Sequence, residues 1–558
     1  MYCLFERQGK ELLRHRKNAL SSNSLKINSL KETARMAKYN TKKAPVIPTE
    51  INKMGEKSFK LLAQEELVST ALTTFIQSSY YESENEIVNR LIKAADQCDP
   101  YFVAKLALYV RREANMRSVS HLLGGYLATL VKGKTWGSKF YYNLAVRVDD
   151  MAEIVAFLTS KNKKVPAAVR KGFKLKMEDL DPYLIDKYKM NGKEVSLIDL
   201  MRLTHPKVSQ KNAEAYERLV YGKDLSDLYT SKILDREKSK GGDKGQAIIE
   251  TIEANGEKMP IMNLLRNLKD IIVFAPEKVD FAISLLTDKK KIENSRLLPF
   301  RFASAYAEVE KLKGGCSSGS SEVVFEGEKI SSSKDAVSKI LAAIEKALKL
   351  SCKNIPVFKG NTAILIDHSG SMRGDISGGS LVSTFSSVTT SLIADVFAAL
   401  MLNSQKNAYV GLFGDRLVSV DIDRKKGIFD NIKKTKSLGD TCGGATENGL
   451  YHFLQDVIKN KKNVDNFIIF SDMVIGDGRC WDYSSNAGNF HELFKEFKKV
   501  NPKCNVVSVD LRQTGGTTVF NGKYGVHQVS GWSDKIFDVM QGRSGYAETI
   551  KEIEKIDL

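Results

Sequence analysis

The stretch ILIDHSGSM, residues 364–372, is a short apolar run that ends in an aspartate and two alternating serines. An apolar run of this length with polar residues at its end is typical of a buried β-strand. Asp367, Ser369 and Ser371 would then follow the strand on a single loop. The stretch therefore predicts a strand whose carboxyl end carries three small oxygen-bearing side chains.

Around this strand, β-rich and helical patterns alternate along the chain. The β-rich segments are NTAILID (361–367), NAYVGLFG (407–414), VDNFIIFSDM (464–473) and KCNVVSVDLR (503–512). The helical segments occupy 381–402, 448–460 and 489–500. This alternation predicts a doubly wound parallel α/β sheet, in which ligands bind at the carboxyl ends of the strands. Asp367 and Asp472 both stand at such ends, so we expect them at one edge of the sheet.

A third loop, GDTCGGATENG (439–449), adds a hydroxyl to the predicted edge. Thr446 could supply this hydroxyl, and Thr441 in the same loop is the alternative. Oxygen ligands without imidazole or thiolate suit a hard cation, Mg²⁺ before Mn²⁺ or Ca²⁺. One coordination position would remain for a carboxylate or phosphate from a partner. The pattern therefore favours a metal-dependent docking site over a catalytic one.

Other chemistries fit these residues less well. A serine hydrolase elbow requires glycine where Asp367 precedes Ser369. An aspartyl phosphotransferase requires a second carboxylate two residues after the nucleophile, where Ser369 stands. The remaining alternative is that Asp367 and the serines only cap the following helix. No catalytic constellation is visible, and we predict that the protein is not an enzyme.

The N-terminal part has a different periodicity. Residues 1–50 are basic and polar and are predicted to form an extended arm, whereas 51–350 have apolar residues at spacings of three and four. This second region is expected to be nearly all helix, arranged as stacked helical pairs. The Gly/Ser-rich segment 314–334 is predicted to be a linker. The α/β domain is then predicted to span 351–558.

Charge is distributed unevenly over the 558 residues, whose formal net charge is +18. Residues 1–350 carry 60 basic against 44 acidic side chains, and 351–558 carry 25 against 23. The excess predicts a polyanionic partner for the first part, nucleic acid before anionic membrane; the alternative is a solvated basic surface. The N-terminus has no secretory pattern, apolar runs fall short of about 20 residues, and seven cysteines are scattered. These features predict a cytoplasmic protein.

Two resemblances make these expectations specific. Asp367, Ser369, Ser371, Thr446 and Asp472 resemble the metal-ion-dependent adhesion site of von Willebrand factor A domains, with His368 at a variable position. Five segments resemble, in order, signature stretches of the TROVE domain of Ro ribonucleoproteins and their bacterial relatives: TFIQSSYYES (74–83), VRREANMRSVSHLLGGYL (110–127), SLIDLMRLTHPK (196–207), MPIMNLLRNL (259–268) and SRLLPFRFASAYAEVEK (295–311). The resemblance covers roughly residues 50–558.

In that family, helical HEAT-like repeats close into a ring. Its central hole takes single-stranded 3′ ends of misfolded noncoding RNA, and its outer surface binds a small noncoding Y RNA. Carried over to this sequence, the resemblance implies RNA contacts at Lys187, Lys189 and His205. The nearby basic segment 169–176 adds candidate phosphate contacts: Arg170, Lys171 and Lys174. Arg266 and Arg296 are interpreted as structural residues.

Together these observations predict an RNA-binding scaffold in noncoding-RNA quality control, with Y-like RNA and misfolded RNA 3′ ends as ligands. The expected protein partner supplies an acidic ligand to the metal site, as an exoribonuclease would, and no membrane is expected as a partner. The alternative is an A-domain interaction module whose helical half binds protein or an anionic surface instead of RNA.

Overall fold

Helices form most of the described chain between residues 63 and 351, as the spacing of its apolar side chains predicts. They are α1 (Ala63–Leu72), α2 (Glu84–Asp96), α3 (Pro100–Arg112), α4 (Arg117–Leu127), α5 (Gly137–Leu144), α6 (Val148–Ser160), α7 (Ala167–Glu178), α8 (Pro182–Lys187), α9 (Leu197–Thr204), α10 (Ala213–Tyr221), α11 (Lys244–Asn255), α12 (Ile261–Phe274), α13 (Val279–Thr287), α14 (Lys289–Ser295), α15 (Pro299–Gly314) and α16 (Lys334–Ser351).

This computed structural model describes residues 48–53, 55–74, 76, 81–221, 244–314, 323–325, 328–330, 334–352, 355–374, 381, 388–405, 407–423, 425–476, 490–520, 524–541 and 546–558. Residues 1–47 of the predicted arm, and parts of the predicted linker, lie outside this range.

Local sequence signals explain where several helices begin. Ser83 caps α2 with a capping box, in which the backbone N–H of Ser83 donates to Glu86 Oε2 at 2.8 Å. Ser196 and Asp199 form the same arrangement at α9. Proline stands in the first turn of α3 and of α8, where its missing N–H costs nothing. The first residues of these helices can therefore be predicted from the sequence.

Neighbouring helices pack in pairs, with α3 against α4, α5 against α7, and α15 against α16. Gly172 permits the close approach of α5 and α7, because a Cβ there would lie 2.5 Å from the carbonyl oxygen of Ser138. Phe140, Tyr141 and Phe173 fill the space around this contact and are fully buried. A side chain at residue 172 would force these helices apart.

Two short strand pairs depart from the predicted all-helical half. Strand β1 (Glu50–Ile51) pairs with β2 (Lys57–Lys60), and β2 in turn pairs antiparallel with β10 (Thr517–Thr518) of the C-terminal part. Within the predicted linker, β3 (Val323–Phe325) pairs with β4 (Glu328–Ile330). The prediction of a nearly all-helical region did not include β2, and the predicted linker contains a strand pair, since strands this short show no period in the sequence.

The C-terminal part is built on a six-stranded sheet. Its strands are β5 (Thr362–Asp367), β6 (Ala408–Phe413), β7 (Leu417–Ser419), β8 (Asn466–Ser471), β9 (Asn505–Asp510) and β11 (Val526–Ser530). Their order is β11-β9-β8-β5-β6-β7, and every neighbouring pair is parallel except β6 with β7. The four predicted strands are thus the four central ones. The sheet is mixed because the short strand β7 is antiparallel.

Helices cover both faces of this sheet. They are α17 (Gly370–Arg373), α18 (Thr390–Ser404), α19 (Ile428–Gly439), α20 (Asn448–Lys459), α21 (Phe490–Val500), α22 (Lys535–Gln541) and α23 (Tyr546–Glu554). Alternate residues of β5 enter different cores: Ile364 and Ile366 belong to one apolar cluster, Ala363 and Leu365 to another. Strands buried on both faces are apolar throughout, which explains why the opening run has no polar alternation.

The two parts of the chain are packed together at both ends of the helical region. Helices α1 and α3 contact α23, and α15 contacts α18. Tyr306 of α15 stacks on Phe429 of α19 with ring centroids 3.9 Å apart. One continuous apolar cluster contains Leu67 from the first part and Trp532 from the second. A bilayer-spanning helix is absent from the described residues, since none of their helices combines the required length and hydropathy.

Candidate metal centre and basic cavity

Asp367 and Asp472 reach the same edge of the sheet because their strands are parallel neighbours. Ile366 of β5 is level with Phe470 of β8, so Asp367 is the last residue of one strand and Asp472 follows the other. Both side chains are buried, with 0% and 3% exposure. The structure therefore brings the two carboxylates to the same edge of the sheet, as the sequence predicts.

The loop after β5 holds its hydroxyls in a connected network. Asp367 Oδ1 accepts a hydrogen bond from the backbone N–H of Ser369 at 2.8 Å, and Oδ2 accepts one from Ser471 Oγ at 2.6 Å. Ser369 Oγ lies 3.1 Å from Ser371 Oγ. Ser369 occupies the N-cap position of α17, yet its side chain makes no capping hydrogen bond. This observation argues against the alternative that the serines only cap the following helix.

Three buried carboxyl groups share this edge. Burial raises the pKa of Asp472 to about 7, and the negative charge of Asp367 adds to the rise. Burial also raises the pKa of Asp367, although hydrogen bonds from Ser471 and Ser369 oppose it. Glu447, which follows the predicted ligand Thr446, is buried as well, and burial together with Asp367 and Asp472 raises its pKa well above the usual value. Glu447 is thus part of the charge cluster.

The third loop places Thr446 inside the site region and Thr441 outside it. Thr446 is buried, and its backbone N–H and Oγ1 donate to Asp415 Oδ1 at 2.7 and 3.0 Å. Thr441 is exposed and donates from Oγ1 to the carbonyl of Leu438 at 2.6 Å. Asp415, which follows β6 and holds this loop, was not predicted. Its only sequence signal is its position just after an apolar run.

His368 faces away from the carboxylate cluster. Its Nε2 lies 3.0 Å from Asp395 Oδ1 in α18, and both side chains are buried. Burial lowers the pKa of His368, but the charge of Asp395 and the hydrogen bond to it raise that pKa overall. The residue therefore joins the loop to α18, consistent with a variable position that is not a ligand.

These residues fit a divalent cation. In the described part of the chain, no ion pair involves Asp367, Glu447 or Asp472, although the charge of Arg512 lowers the pKa of Asp472 in part, and three carboxyl groups buried together are costly to ionise. A hard cation with oxygen ligands would neutralise them and use the hydroxyls of Ser369, Ser371 and Thr446. No group of three or more His, Cys, Asp or Glu side chains placed to hold a metal occurs among the described residues, so the hydroxyls are essential to any site here.

One residue of this site belongs to the helical half, and the sequence did not predict its presence here. Tyr81, in the segment before α2, is hydrogen-bonded to Ser371. Burial raises the pKa of the Tyr81 phenol, and the charges of Asp472, Glu447 and Asp367 raise it further. Its segment, TFIQSSYYES, was noted only for its resemblance to the TROVE domain. Nothing in the spacing along the chain connects residue 81 with residue 371.

The helical half contains a basic cavity of about 840 Å³. Polar, basic and aromatic side chains line it, including those of Arg147, Tyr183, Lys187, Tyr188, Asn191, Lys193, Asn263, Arg266 and Asn267. Lys187 Nζ lies 5.3 Å from the ring centroid of Tyr183 and 5.6 Å from that of Tyr188. Asp149, Glu153 and Glu194 are also in the wall. The cavity thus combines four basic and three acidic side chains with aromatic rings and amides.

The six predicted RNA-contacting residues do not form one cluster in this cavity; of them, Lys187 alone is among its lining residues. Arg170 and Lys171 are exposed on α7, with Lys174 half-buried on the same helix, and Lys189 is half-buried after α8. His205 is exposed and ends α9 with a left-handed φ of 48°. Three of the six, Arg170, Lys171 and His205, are therefore exposed.

The two arginines interpreted as structural differ from each other. Arg296 Nη1 donates to the carbonyl oxygen of Arg112 at 3.1 Å, which joins the end of α14 to the end of α3. Arg266 is exposed and lines the cavity, so the structural interpretation was wrong for it. Its neighbour Arg301 has a pKa lowered first by burial and then by the charge of Arg266. The two guanidinium groups therefore form a region of concentrated positive charge.

The fold and the site define a class: a helical region with a polar cavity, joined to an α/β domain with buried carboxyl and hydroxyl groups at the carboxyl edge of its sheet. The sequence model of the TROVE domain matches residues 227–357. The crystal structure of the Ro (RSR) protein of Deinococcus radiodurans is similar, with a TM-score of 0.53, 14% identity and coverage of 86% of this chain and 100% of that one. At this identity the likeness shows a shared fold. No curated protein matches the chain by sequence. The family match is thus confined to residues 227–357, and the structural match shows a fold shared with that Ro protein.

Proposed function

We propose that this chain is an RNA-binding scaffold of the Ro type that holds small noncoding RNA and the single-stranded 3′ ends of misfolded RNA. The observation that carries the proposal is the basic, aromatic-lined cavity of the helical half. The TROVE match, the fold shared with a Ro protein and the basic excess of residues 1–350 support it.

The chemistry of the cavity suits a single strand. Lys187, Lys193 and Arg266 form no ion pair among the described residues, so their charges are available to neutralise phosphates. Tyr183 is 39% exposed and Tyr188 half-buried, and aromatic faces of this kind stack on bases of any sequence. Ligand pockets generally measure about 300–1,000 Å³, so a cavity of this size suits a short unpaired segment better than a duplex.

A closed ring of helices is part of this proposal. The hydrogen bond from Arg296 to Arg112 supports closure, because it joins helices 184 residues apart in sequence. The packing of α1 and α15 on the α/β domain supports it too, since the two ends of the helical region are held by one body. A structured noncoding RNA would then bind the outside, where Arg170 and Lys171 are exposed on α7. Lys189 and His205 are further candidates for this outer surface.

For the α/β domain we propose a von Willebrand factor A type with bound Mg²⁺. Asp367, Asp472, Ser369, Ser371 and Thr446 would hold the ion, which would supply positive charge for an acidic ligand of a partner protein. An exoribonuclease that trims or degrades RNA held by the helical half is the kind of partner that fits a quality-control role. The buried carboxylates described above support metal binding.

The test of RNA binding compares a hairpin RNA with a 3′ single-stranded tail to the same hairpin with a blunt end. Fluorescence anisotropy with the full chain, at several salt concentrations, gives affinities and salt slopes. We expect tighter binding of the tailed RNA. Equal affinities for both would contradict the cavity as the binding site, and no salt-dependent binding of either would favour the alternative, in which the helical half binds protein.

A further inference from the structure

The metal-site edge of the sheet is not made by the α/β domain alone. Tyr81 precedes α2 in the helical half, whereas Ser371 and Asp472 belong to the α/β domain. The Tyr81 hydroxyl is hydrogen-bonded to Ser371, whose hydroxyl is also hydrogen-bonded to Asp472 and lies 3.1 Å from that of Ser369. A single chain of polar contacts therefore runs from the helical half into the carboxylate cluster.

The segment that carries Tyr81 is anchored on both sides. After it, Glu82 is buried and forms an ion pair with Arg90 at 2.8 Å, and its Oε1 accepts from the backbone N–H of Gly515 at 3.2 Å. Before it, Thr73 Oγ1 accepts from the backbone N–H of Gln513 at 3.1 Å. Both contacts are made to the loop that follows β9. Tyr81 is therefore held at this edge by contacts that do not involve its own side chain.

Arg90 strengthens this anchor. Its Nη2 donates to the carbonyl oxygen of Gln513 at 2.8 Å as well as to Glu82, and Nη1 donates to Thr70 Oγ1. A largely buried, bidentate guanidinium–carboxylate pair is more rigid than a surface ion pair. Thr70 belongs to α1 and Arg90 to α2. The position of the Tyr81 hydroxyl therefore depends on how the helical half is docked on the α/β domain.

We infer that Tyr81 is a positioning residue of a composite metal site: its hydroxyl orients the Ser371 hydroxyl towards the cation that Asp367 and Asp472 hold, so that metal affinity depends on the helical half. The Tyr81 phenol acts here in its neutral form, because three neighbouring carboxyl groups would repel a phenolate. Residues that orient a ligand through a hydrogen bond are known to affect metal affinity by about 10- to 100-fold. The inference rests on the proposed metal site and is independent of RNA binding.

The test measures Mn²⁺ binding to the full chain by isothermal titration calorimetry. We expect Tyr81→Phe, which keeps the ring and removes the hydroxyl, to raise the Kd for Mn²⁺ about 10-fold. Tyr126→Phe is the matched control, because Tyr126 also lies in the helical half and donates to a carboxylate, Asp96, at 2.7 Å. This control should bind Mn²⁺ as the wild type does.

A double-mutant cycle separates positioning from a general structural role. If Tyr81 acts through Ser371, Tyr81→Phe should have no further effect on the Kd in a Ser371→Ala background. Melting temperatures without metal should be alike for the wild type and Tyr81→Phe, whereas the rise caused by Mg²⁺ should be smaller in the variant.

Three results would overturn the inference. An unchanged Kd in Tyr81→Phe, or a tenfold effect that persists in the Ser371→Ala background, would show that the hydroxyl does not position Ser371. A wild-type chain that binds no Mn²⁺ would remove the metal site and the inference together. None of these results alters the outcome of the RNA experiment, so the failure of one proposal can be told from the failure of the other.

Discussion

Ser471 donates a hydrogen bond from Oγ to Asp367 Oδ2 at 2.6 Å, joining the carboxyl ends of the two central strands β8 and β5. The contact orients a fully buried carboxylate towards the loops that bear Ser369, Ser371 and Glu447. Since parallel strands end at the same edge, residues that are 104 positions apart in sequence form one site.

Replacing Asp367 by asparagine should separate metal binding from folding. The amide keeps the shape of the side chain but removes a charge that is buried without an ion pair. We expect Asp367→Asn to be at least as stable as the wild type without metal and to lose its stabilisation by Mg²⁺, which for the wild type is about 2.7 kcal/mol at 100 times Kd. Thermal melts with and without Mg²⁺ measure this difference.

The control for that experiment is Asp557→Asn, which changes an aspartate whose side chain is 87% exposed and far along the chain from the site. It should keep the full response to Mg²⁺. Equal Mg²⁺ responses in Asp367→Asn and the wild type would exclude Asp367 as a ligand.

Asp150 should be the main acid-sensitive residue of the helical framework. Its carboxylate is fully buried and contacts Arg111 at 2.7 Å, Arg117 at 3.0 Å and His121 at 2.8 Å. Burial raises the pKa of Asp150, but the hydrogen bond from His121 and the charge of Arg111 outweigh it, so the pKa is well below its usual range. Its stabilising contribution is therefore complete above the unfolded-state pKa of about 3.9 and is lost as the pH falls below it.

We expect Asp150→Asn to lower the free energy of unfolding at pH 7 by about 3–5 kcal/mol, because the buried guanidinium group of Arg111 loses its charged partner and the half-buried one of Arg117 loses one of its two. The loss should shrink below about pH 4, where the wild-type carboxylate becomes protonated during unfolding. Urea denaturation at pH 7 and at pH 3.5 gives both values. A loss that is the same at the two pH values would argue against a charge-based role.

Lys187 should contribute one phosphate contact. Charge reversal, Lys187→Glu, is expected to weaken binding of tailed RNA and to reduce the magnitude of the log–log salt slope by at least about 0.7, the value for one contact to a single strand. Lys459→Glu is the matched control, because Lys459 is an exposed lysine of α20 in the nearly neutral α/β domain. If both variants change the slope equally, the effect reflects overall charge and not the cavity.

Tyr183 should act by stacking. We expect Tyr183→Ala to weaken binding of tailed RNA by about 1–3 kcal/mol, the usual contribution of one base–aromatic stack, and Tyr183→Phe to bind nearly as the wild type does. Blunt hairpin RNA should be affected little by either change. Competition anisotropy with the two RNAs measures this, and a similar loss for blunt RNA would place Tyr183 on an outer surface instead.

The sequence by itself determined the central strands and the meeting of Asp367 with Asp472. Strands buried on both faces require local apolar runs such as ILID and NFIIFS, and parallel order then places their carboxyl ends together. The sequence also determined the helical character of residues 63–351, because the apolar residues of each amphipathic helix recur at a helical spacing within a few turns. These features depend on residues close together in the chain.

Only the tertiary structure decided which distant groups complete the sites. Tyr81 and Ser371 meet because α1 and α2 dock on the loop after β9, and Arg147 and Arg266 line one cavity because helices far apart in sequence pack together. Strand β2 pairs locally with β1, but its second partner is β10, more than 450 residues later. Such contacts leave no periodic signal in the chain, since they depend on how whole helices and loops pack and not on the residues beside them.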